Sequence, residues 1–233
     1  MRTLVLSDIH ANLPALEAIL EKEKDFDSCI FLGDVVDYGP HPRECIEHIW
    51  RLMPHAVIGN HDNALVFDVD CGCRGDFKKY SEETRAWHRI LISKDEIWYL
   101  RSFPRTKHIV IEGKTILLAH ATPHGNLFHY LQENEIEKAV QDFTEDIVLI
   151  GHTHVQFKKQ VGKTMVINPG SVGLARDGGQ ACYAVLENGD LTLKRIPYDI
   201  QRTIDALIAS PISKESKDGL SKILKGEWKE RKY

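Results

Sequence analysis

The 233-residue sequence has few cysteines, no excess of basic residues and no long apolar run, and each shortage removes a class of protein. Cys29, Cys45, Cys71, Cys73 and Cys182 are odd in number and lack the paired spacing of a disulfide framework or a structural zinc site. They read as reduced thiols, which points to a cytoplasmic location. A net charge of −4 argues against wrapping an extended nucleic-acid backbone, which asks for a basic excess. A basic, aromatic-lined stretch for single strands is missing too. A small anionic substrate stays open, because positive charge can be local, as at a metal site. No apolar run approaches the ~20 residues that cross a bilayer. The opening residues Met1 to Asp8 show no signal-peptide pattern, so no membrane partner is expected.

What the chain does have is a regular alternation of apolar runs and helical patterns. Thr3–Ser7, Ser28–Leu32 and His55–Ile58 read as buried strands. Between them lie two helices. One is capped by Asn12 with Pro14 in its first turn and buries Leu13, Leu16, Ile19 and Leu20. The other is predicted to bury Cys45, Ile46, Ile49, Trp50 and Met53. This order favours an α/β domain with parallel pairing in that half. Residues 67–79 show no periodicity and read as a surface loop. A helix with Trp87, Ile90 and Leu91 follows, then a short one around Ile97 and Leu100. The second half holds seven strand runs, with hairpin turns at Gly113-Lys114, Gly162-Lys163 and Asn188-Gly189-Asp190, and one helix over 133–141. The whole chain reads as one domain, 1–233, with 197–233 as a Lys/Glu-rich tail. That tail docks as a helix through Leu220, Ile223, Leu224 and Trp228.

Four short motifs follow strands directly: Ser7-Asp8-Ile9-His10, Gly33-Asp34-Val35-Val36-Asp37, Gly59-Asn60-His61-Asp62 and Gly151-His152-Thr153-His154. In extended backbone, residues i and i+2 point the same way, so Asp8 with His10 and His152 with His154 are expected to aim at common points. Ligands of α/β sheets bind beyond the carboxyl ends of the strands. Imidazole, carboxylate and amide oxygen without thiolate suit Mn, Fe, Co, Ni or Zn in a catalytic role. Two such ions sharing a carboxylate can clamp the attacking and leaving oxygens of an in-line displacement.

These motifs, with His120 after an apolar strand, resemble the calcineurin-like metallophosphoesterase superfamily over roughly two-thirds of the chain. Any one motif is weak; five in this order are specific. Asn168-Pro169-Gly170-Ser171 resembles the small bacterial and archaeal phosphodiesterase branch. The resemblance implies an α/β fold, a four-layer α/β/β/α sandwich with two mixed β-sheets. It also implies two divalent transition-metal ions. Asp8, His10, Asp34 and His154 are assigned to the first, and Asn60, His120 and His152 complete the second, with Asp34 bridging. His61 is implied as the residue that stabilises the transition state or protonates the leaving oxygen, and Asp62 as the group that orients it. Two divalent ions with the Asp8 and Asp34 carboxylates leave about +2 locally, enough to attract a phosphate to an acidic protein.

The expected activity is hydrolysis of a small or nucleotide phosphodiester. Hydrolysis of a phosphomonoester or a dinucleoside polyphosphate is the enzymatic alternative. Some proteins of this fold, such as a retromer subunit, are noncatalytic protein-binding scaffolds, but such scaffolds lack the histidine present here as His61. Residues 67–79 and 122–130 can reach over the metals, with His124, Asn126, His129 and Tyr130 as candidate substrate contacts. Arg176 could meet a phosphate or be an ordinary surface arginine. Asp37 reads as a brace for the turn or for a ligand histidine. Cys71-Gly72-Cys73 reads as an ordinary loop, and His41, His48, His55, His88 and His108 are given no role.

Overall fold

The computed structural model describes residues 1–176 and 178–228. Ten strands form two mixed five-stranded sheets, in the orders β10-β9-β1-β2-β3 and β4-β5-β6-β8-β7. In the first sheet β1 (Arg2–Leu6), β2 (Ser28–Phe31) and β3 (His55–Ala56) run parallel. The hairpin β9 (Ala181–Glu187) and β10 (Asp190–Ile196) adds antiparallel to β1. In the second, β5 (Lys114–Ala119), β6 (Ile147–Leu149) and β8 (Thr164–Asn168) are parallel. Their edges are the antiparallel strands β4 (Thr106–Ile111) and β7 (Phe157–Val161).

The period-2 pleat sorts the apolar residues into layers. Val5, Ile30, Leu32 and Ala184 meet Ile116, Leu118, Leu149 and Ile167 between the sheets. Leu4, Leu6, Phe31 and Tyr183 point the other way, against helices α1 (Leu13–Lys22) and α2 (Pro42–Leu52). Outside the second sheet, Leu117, Val148 and Val166 pack on Ile136 and Val140 of α6 (Ile136–Val140). The result is the four-layer α/β/β/α arrangement. Phe31 is fully buried, and truncating it to alanine should cost about 3–5 kcal/mol.

Local signals explain the helix starts. The Asn12 side chain accepts from Ala15 N–H, and Pro14 sits in the first turn of α1. In α5 (Lys94–Arg101), Ser93 and Glu96 form a reciprocal capping box. The Gly-Asn-His-Asp motif opens a helix that the sequence pattern did not reveal, α3 (Asn60–Phe67), with the Asp62 carboxylate accepting from Gly59 N–H.

Two sequence expectations fail, the buried set of α2 and the loop over 67–79. Trp50 is 43% and Met53 84% exposed, so α2 buries only Pro42, Cys45, Ile46 and Ile49. Trp50 stacks instead on Tyr99 at the surface, with ring centroids 4.7 Å apart. Helix α4 (Gly75–Leu91) starts inside the stretch read as a loop and turns Tyr80, Ser81, Thr84, Arg85 and His88 inward, leaving Ile90 82% exposed. The tail contains a further helix, α7 (Ile200–Ala209), before α8 (Lys214–Leu224). Ile204, Leu207, Leu220, Ile223 and Leu224 cluster with Tyr80 of α4, and Trp228 packs on that cluster. Residues 229–233 of the expected tail lie outside those described.

Candidate metal centre

The loops that leave β1, β2, β6 and the start of α3 meet at one end of the sheets, and β5 delivers His120 to the same place. Convergence does not come from extended backbone. Asp8 (φ +53°), His10 (+47°), Asp34 (+64°), His152 (+66°) and His154 (+62°) are all left-handed, as are Ala11, Asp37 and Tyr38. For residues with a Cβ this costs about 1–3 kcal/mol each, so the surroundings must hold the turns. Asp8 N–H donates to Gly33 O and His10 N–H to Asp34 O, tying the first two turns together. Ser171 Oγ donates to Asp8 O at 2.7 Å, and Asn168 Nδ2 to Gly151 O at 2.7 Å. The Asn-Pro-Gly-Ser segment thus buttresses both ligand-bearing turns.

The side chains face one another with lone pairs. The Nδ1 of His10, His120 and His154 lie 2.7–2.8 Å from the carbonyls of Val36, Leu32 and Leu174. A carbonyl only accepts, so each ring, when neutral, holds its proton there and presents a bare Nε2 inward. Yet His10 Nε2 lies 3.1 Å from His154 Nε2, and His154 Nε2 lies 3.3 Å from Asp8 Oδ1. His120 Nε2 is 3.1 Å from Asp34 Oδ2 and 3.0 Å from Asn60 Oδ1. His152 Nδ1 is also 3.0 Å from Asn60 Oδ1. Asn60 donates its Nδ2 to Cys71 O, which turns the amide oxygen inward. Asp8 Oδ1 and Asp34 Oδ2 are buried with no hydrogen-bond donor.

Acceptor against acceptor at such distances is repulsive until a cation lies between. The separations are close to the edges of a polyhedron of donors ~2.1 Å from one ion. Two groups stand out, Asp8-His10-His154 and Asp34-His120-His152, each with its ligand atoms within 4.8 Å of one another. The residues therefore fit metal ions. Burial, with His154 beside it, holds His10 down at about 3, so it stays a neutral ligand. His120 goes the other way. Against burial, Asp34 lifts it to about 9, so a proton relieves the crowding where a cation otherwise would.

His61 stands on the first turn of α3, its N–H donating to Asp34 Oδ1 at 2.8 Å. Its Nδ1 contacts Asp37 Oδ2 at 2.7 Å. Asp37, rather than Asp62, is therefore the carboxylate that orients His61. Both carboxyl oxygens of Asp62 are taken by the amides of Asp34, Val35 and Gly59, so it fixes the turn that presents Asp34. Burial, reinforced by Asp34, raises Asp62 to about 7. Burial opposes protonation of His61, but the Asp34 and Asp37 carboxylates raise it to about 9. Arg85 Nε and Nη2 grip Asp37 Oδ2 at 3.0 and 2.7 Å, and His88 Nδ1 accepts from Asp37 N–H. Neither residue announced itself in sequence, because each belongs to a helix face that is polar only where it meets the site.

A cleft of about 1070 Å³ opens beside the centre, lined by Arg74, Phe77, Tyr130, Thr153, Arg176 and Trp228 among others. The Tyr130 ring lies 4.1 Å from that of His152. The half-buried Arg176 guanidinium lies over Phe77 at 4.7 Å and Tyr130 at 5.6 Å. Lys158 and Lys159 of β7 line the same cleft, a contribution of positive charge that no local pattern marks. Three expected contacts do not line it. Asn126 is exposed, its Oδ1 accepting from Phe128 N–H. His124 is exposed and packs on Phe143, and His129 pairs with Glu135 at the surface. Cys71 and Cys73 are buried rather than on a surface loop.

The sequence profile of the calcineurin-like phosphoesterase superfamily domain matches residues 1–190. The chain is 31% identical to an uncharacterized protein, MJ0912, of Methanocaldococcus jannaschii, covering 88% of this chain and 90% of that one. It is 26% identical to phosphodiesterase YfcE of Escherichia coli K12, covering 83% and 91%. A metallophosphoesterase from Sphaerobacter thermophilus superposes with a TM-score of 0.81 at 29% identity, covering 95% and 98%. No helix among the described residues is long and apolar enough to cross a membrane. With its histidine and aspartate groups able to hold metal, this chain belongs to the calcineurin-like phosphoesterase superfamily and is a metal-dependent hydrolase, a metallophosphoesterase.

Proposed function

We propose that the chain hydrolyses phosphodiesters, small or nucleotide-derived, at a centre of two divalent transition-metal ions. Asp8, His10, Asp34 and His154 would hold one ion; Asn60, His120, His152 and the shared Asp34 would hold the other. The observation that carries this reading is the facing set of donor-free lone pairs, with Asp34 Oδ2 3.1 Å from His120 Nε2 and 4.0 Å from His10 Nε2. Bound there, the ions supply Lewis acidity, offsetting charge on the phosphoryl oxygens and acidifying water toward a pKa of ~7. His61 delivers a proton to the leaving oxygen. Its Nδ1 is committed to Asp37, so the transferable proton sits on Nε2.

The cleft supports a diester over a monoester. Its aromatic walls, Phe77, Tyr130 and Trp228, accept an uncharged second substituent, which a monoester lacks. Arg176 lies among those rings, where its cation–π contacts stabilise the guanidinium. The test is a rate comparison on the Mn²⁺-reconstituted protein between p-nitrophenyl phosphate and its bis ester. The bis ester should show the higher kcat/KM, and Tyr130→Ala should narrow the difference with metal content unchanged. A much faster monoester reaction overturns the diester assignment in favour of a phosphomonoesterase.

A further inference from the structure

Behind His61 lies a cluster that the phosphoesterase chemistry does not use. Cys73 Sγ is 3.4 Å from His61 Nε2, and Cys71 Sγ joins them, all three ligand atoms falling within 4.8 Å. Gly72 makes the pairing possible. Its φ of +77° reverses the chain between the cysteines, and a Cβ there would lie 2.9 Å from the Phe128 ring. The Asp70 carboxylate pins this turn by accepting from Gly72 N–H at 2.7 Å. Both thiols are almost wholly buried, Cys71 at 2% and Cys73 at 5% exposure, and neither is in a disulfide. Beyond one another and His61, Cys71 Sγ lies 3.3 Å from the Ser81 hydroxyl and also meets the Arg85 guanidinium, and Cys73 Sγ lies 3.4 Å from the Tyr38 hydroxyl.

We infer that His61, Cys71 and Cys73 form a third cation site, selective for thiophilic ions such as Zn²⁺ or Cd²⁺, and that its occupation silences the enzyme. The donor set is soft where the phosphoesterase centre is hard, two sulfurs and one imidazole against carboxylate, amide and imidazoles. Tetrahedral zinc with Zn–S of ~2.3 Å and Zn–N of ~2.0–2.1 Å sets S and N about 3.5 Å apart. The 3.4 Å already present needs almost no movement. Charge also balances. A divalent cation binds as the two thiols and His61 Nε2 release three protons to solvent, so the ion with two thiolates and a neutral imidazole carries no net charge and burial does not oppose it. An entrance exists, since Arg74 to Phe77, directly after Cys73, line the open cleft. Occupation engages His61 Nε2, the nitrogen from which the leaving oxygen would be protonated. Only this inhibitory consequence rests on the proposed role of His61; the site itself does not.

The test titrates Cd²⁺ into the Mn²⁺-loaded chain under reducing conditions, reading thiolate-to-cadmium absorbance, bound cadmium and retained manganese, and turnover together. One added equivalent of cadmium should bring the absorbance band and the loss of turnover with manganese retained. The C71S/C73S double variant should lose the band, with its inhibition read against its own basal turnover. Its inhibition should need at least ~10–100-fold more cadmium, since loss of an outer partner alone costs that much affinity. H61A should keep the band with weakened binding, whatever its turnover, so the site is read even if the proton-donor role of His61 fails. Inhibition of the double variant at the same cadmium concentration, or uptake without the band, overturns the inference. Such results would place the ion in the phosphoesterase centre instead.

Discussion

Apart from His120, which directly follows β5, two kinds of backbone carry the metal-facing side chains, and they are held differently. Asp8, His10, Asp34, His152 and His154 stand on left-handed turns at strand ends. Asn60 and His61 stand on the opening turn of α3, in ordinary helical conformation. The turns are high in energy and persist through hydrogen bonds that run from one turn to the next. The helix needs only its cap, the Asp62 carboxylate. Turn residues therefore act as a set, and changing one loosens its neighbours. A helix residue can be exchanged alone.

That contrast orders the expected effects. Asp34→Ala should do the most damage, because Asp34 Oδ2 lies 3.1 Å from His120 Nε2 and 4.0 Å from His10 Nε2 while Oδ1 accepts from His61 N–H. Metal content by elemental analysis and turnover should fall together, the latter beyond the ~10⁴-fold upper end of a general-acid loss. His61→Ala should keep the metals and lose ~10²–10⁴-fold in kcat. Asp37→Asn should cost less, about 10–100-fold, as an orienting partner does. Wild-type turnover in His61→Ala would break the comparison and remove the proton-donor role. Gly59→Ala tests where the two backbones touch. A Cβ there would lie 1.9 Å from Asp34 Oδ1, so the helix start must shift. Thermal or denaturant unfolding should show a loss of about 1–3 kcal/mol. Unchanged stability and metal content would mean the junction is softer than the contact implies.

The smallest effect isolates strain from function. Met53 is left-handed (φ +43°) at the end of α2, far from any ligand role and 84% exposed. Met53→Gly removes the clash of a Cβ in that conformation and should stabilise by up to about 1 kcal/mol, with turnover unchanged. If it destabilises, strain is not what separates the turn ligands from the helix ones.

Legibility in the sequence follows the same division. Strand positions and the motif residues were readable because short apolar runs and short motifs are local signals, while the sheet layers were implied by the family resemblance. The left-handed turns were not, since Asp and His do not declare positive φ as glycine does. The start and the buried face of helix α4 were not legible for a related reason. Its buried side meets the Asp37 turn, so polar groups lie within: Thr84 Oγ1 accepts from Tyr38 N–H, Arg85 holds Asp37, and His88 takes the Asp37 amide. Site demands inverted the hydrophobic pattern there. The exchange of roles between Asp62 and Asp37 could only be read once the chain was folded. Both lie in motifs, and spacing alone does not say which carboxylate reaches the ring. Cys71 and Cys73 were hidden because a glycine turn, rather than a paired Cys motif, brings them to His61.

The first sheet has a consequence for how the chain is made. Strand β1 is central, yet one of its two partners is β9, with Arg2 opposite Glu187. During ribosomal synthesis at ~5–20 residues per second, that partner arrives roughly 10–40 s after β1 emerges. Until then β1 presents an open edge, and the buttress that Ser171 and Gly173 give Asp8 does not yet exist. His152 and His154 emerge only a little earlier than that buttress. The nascent chain therefore carries the Asp8 turn without its Ser171 and Gly173 buttress for most of its translation.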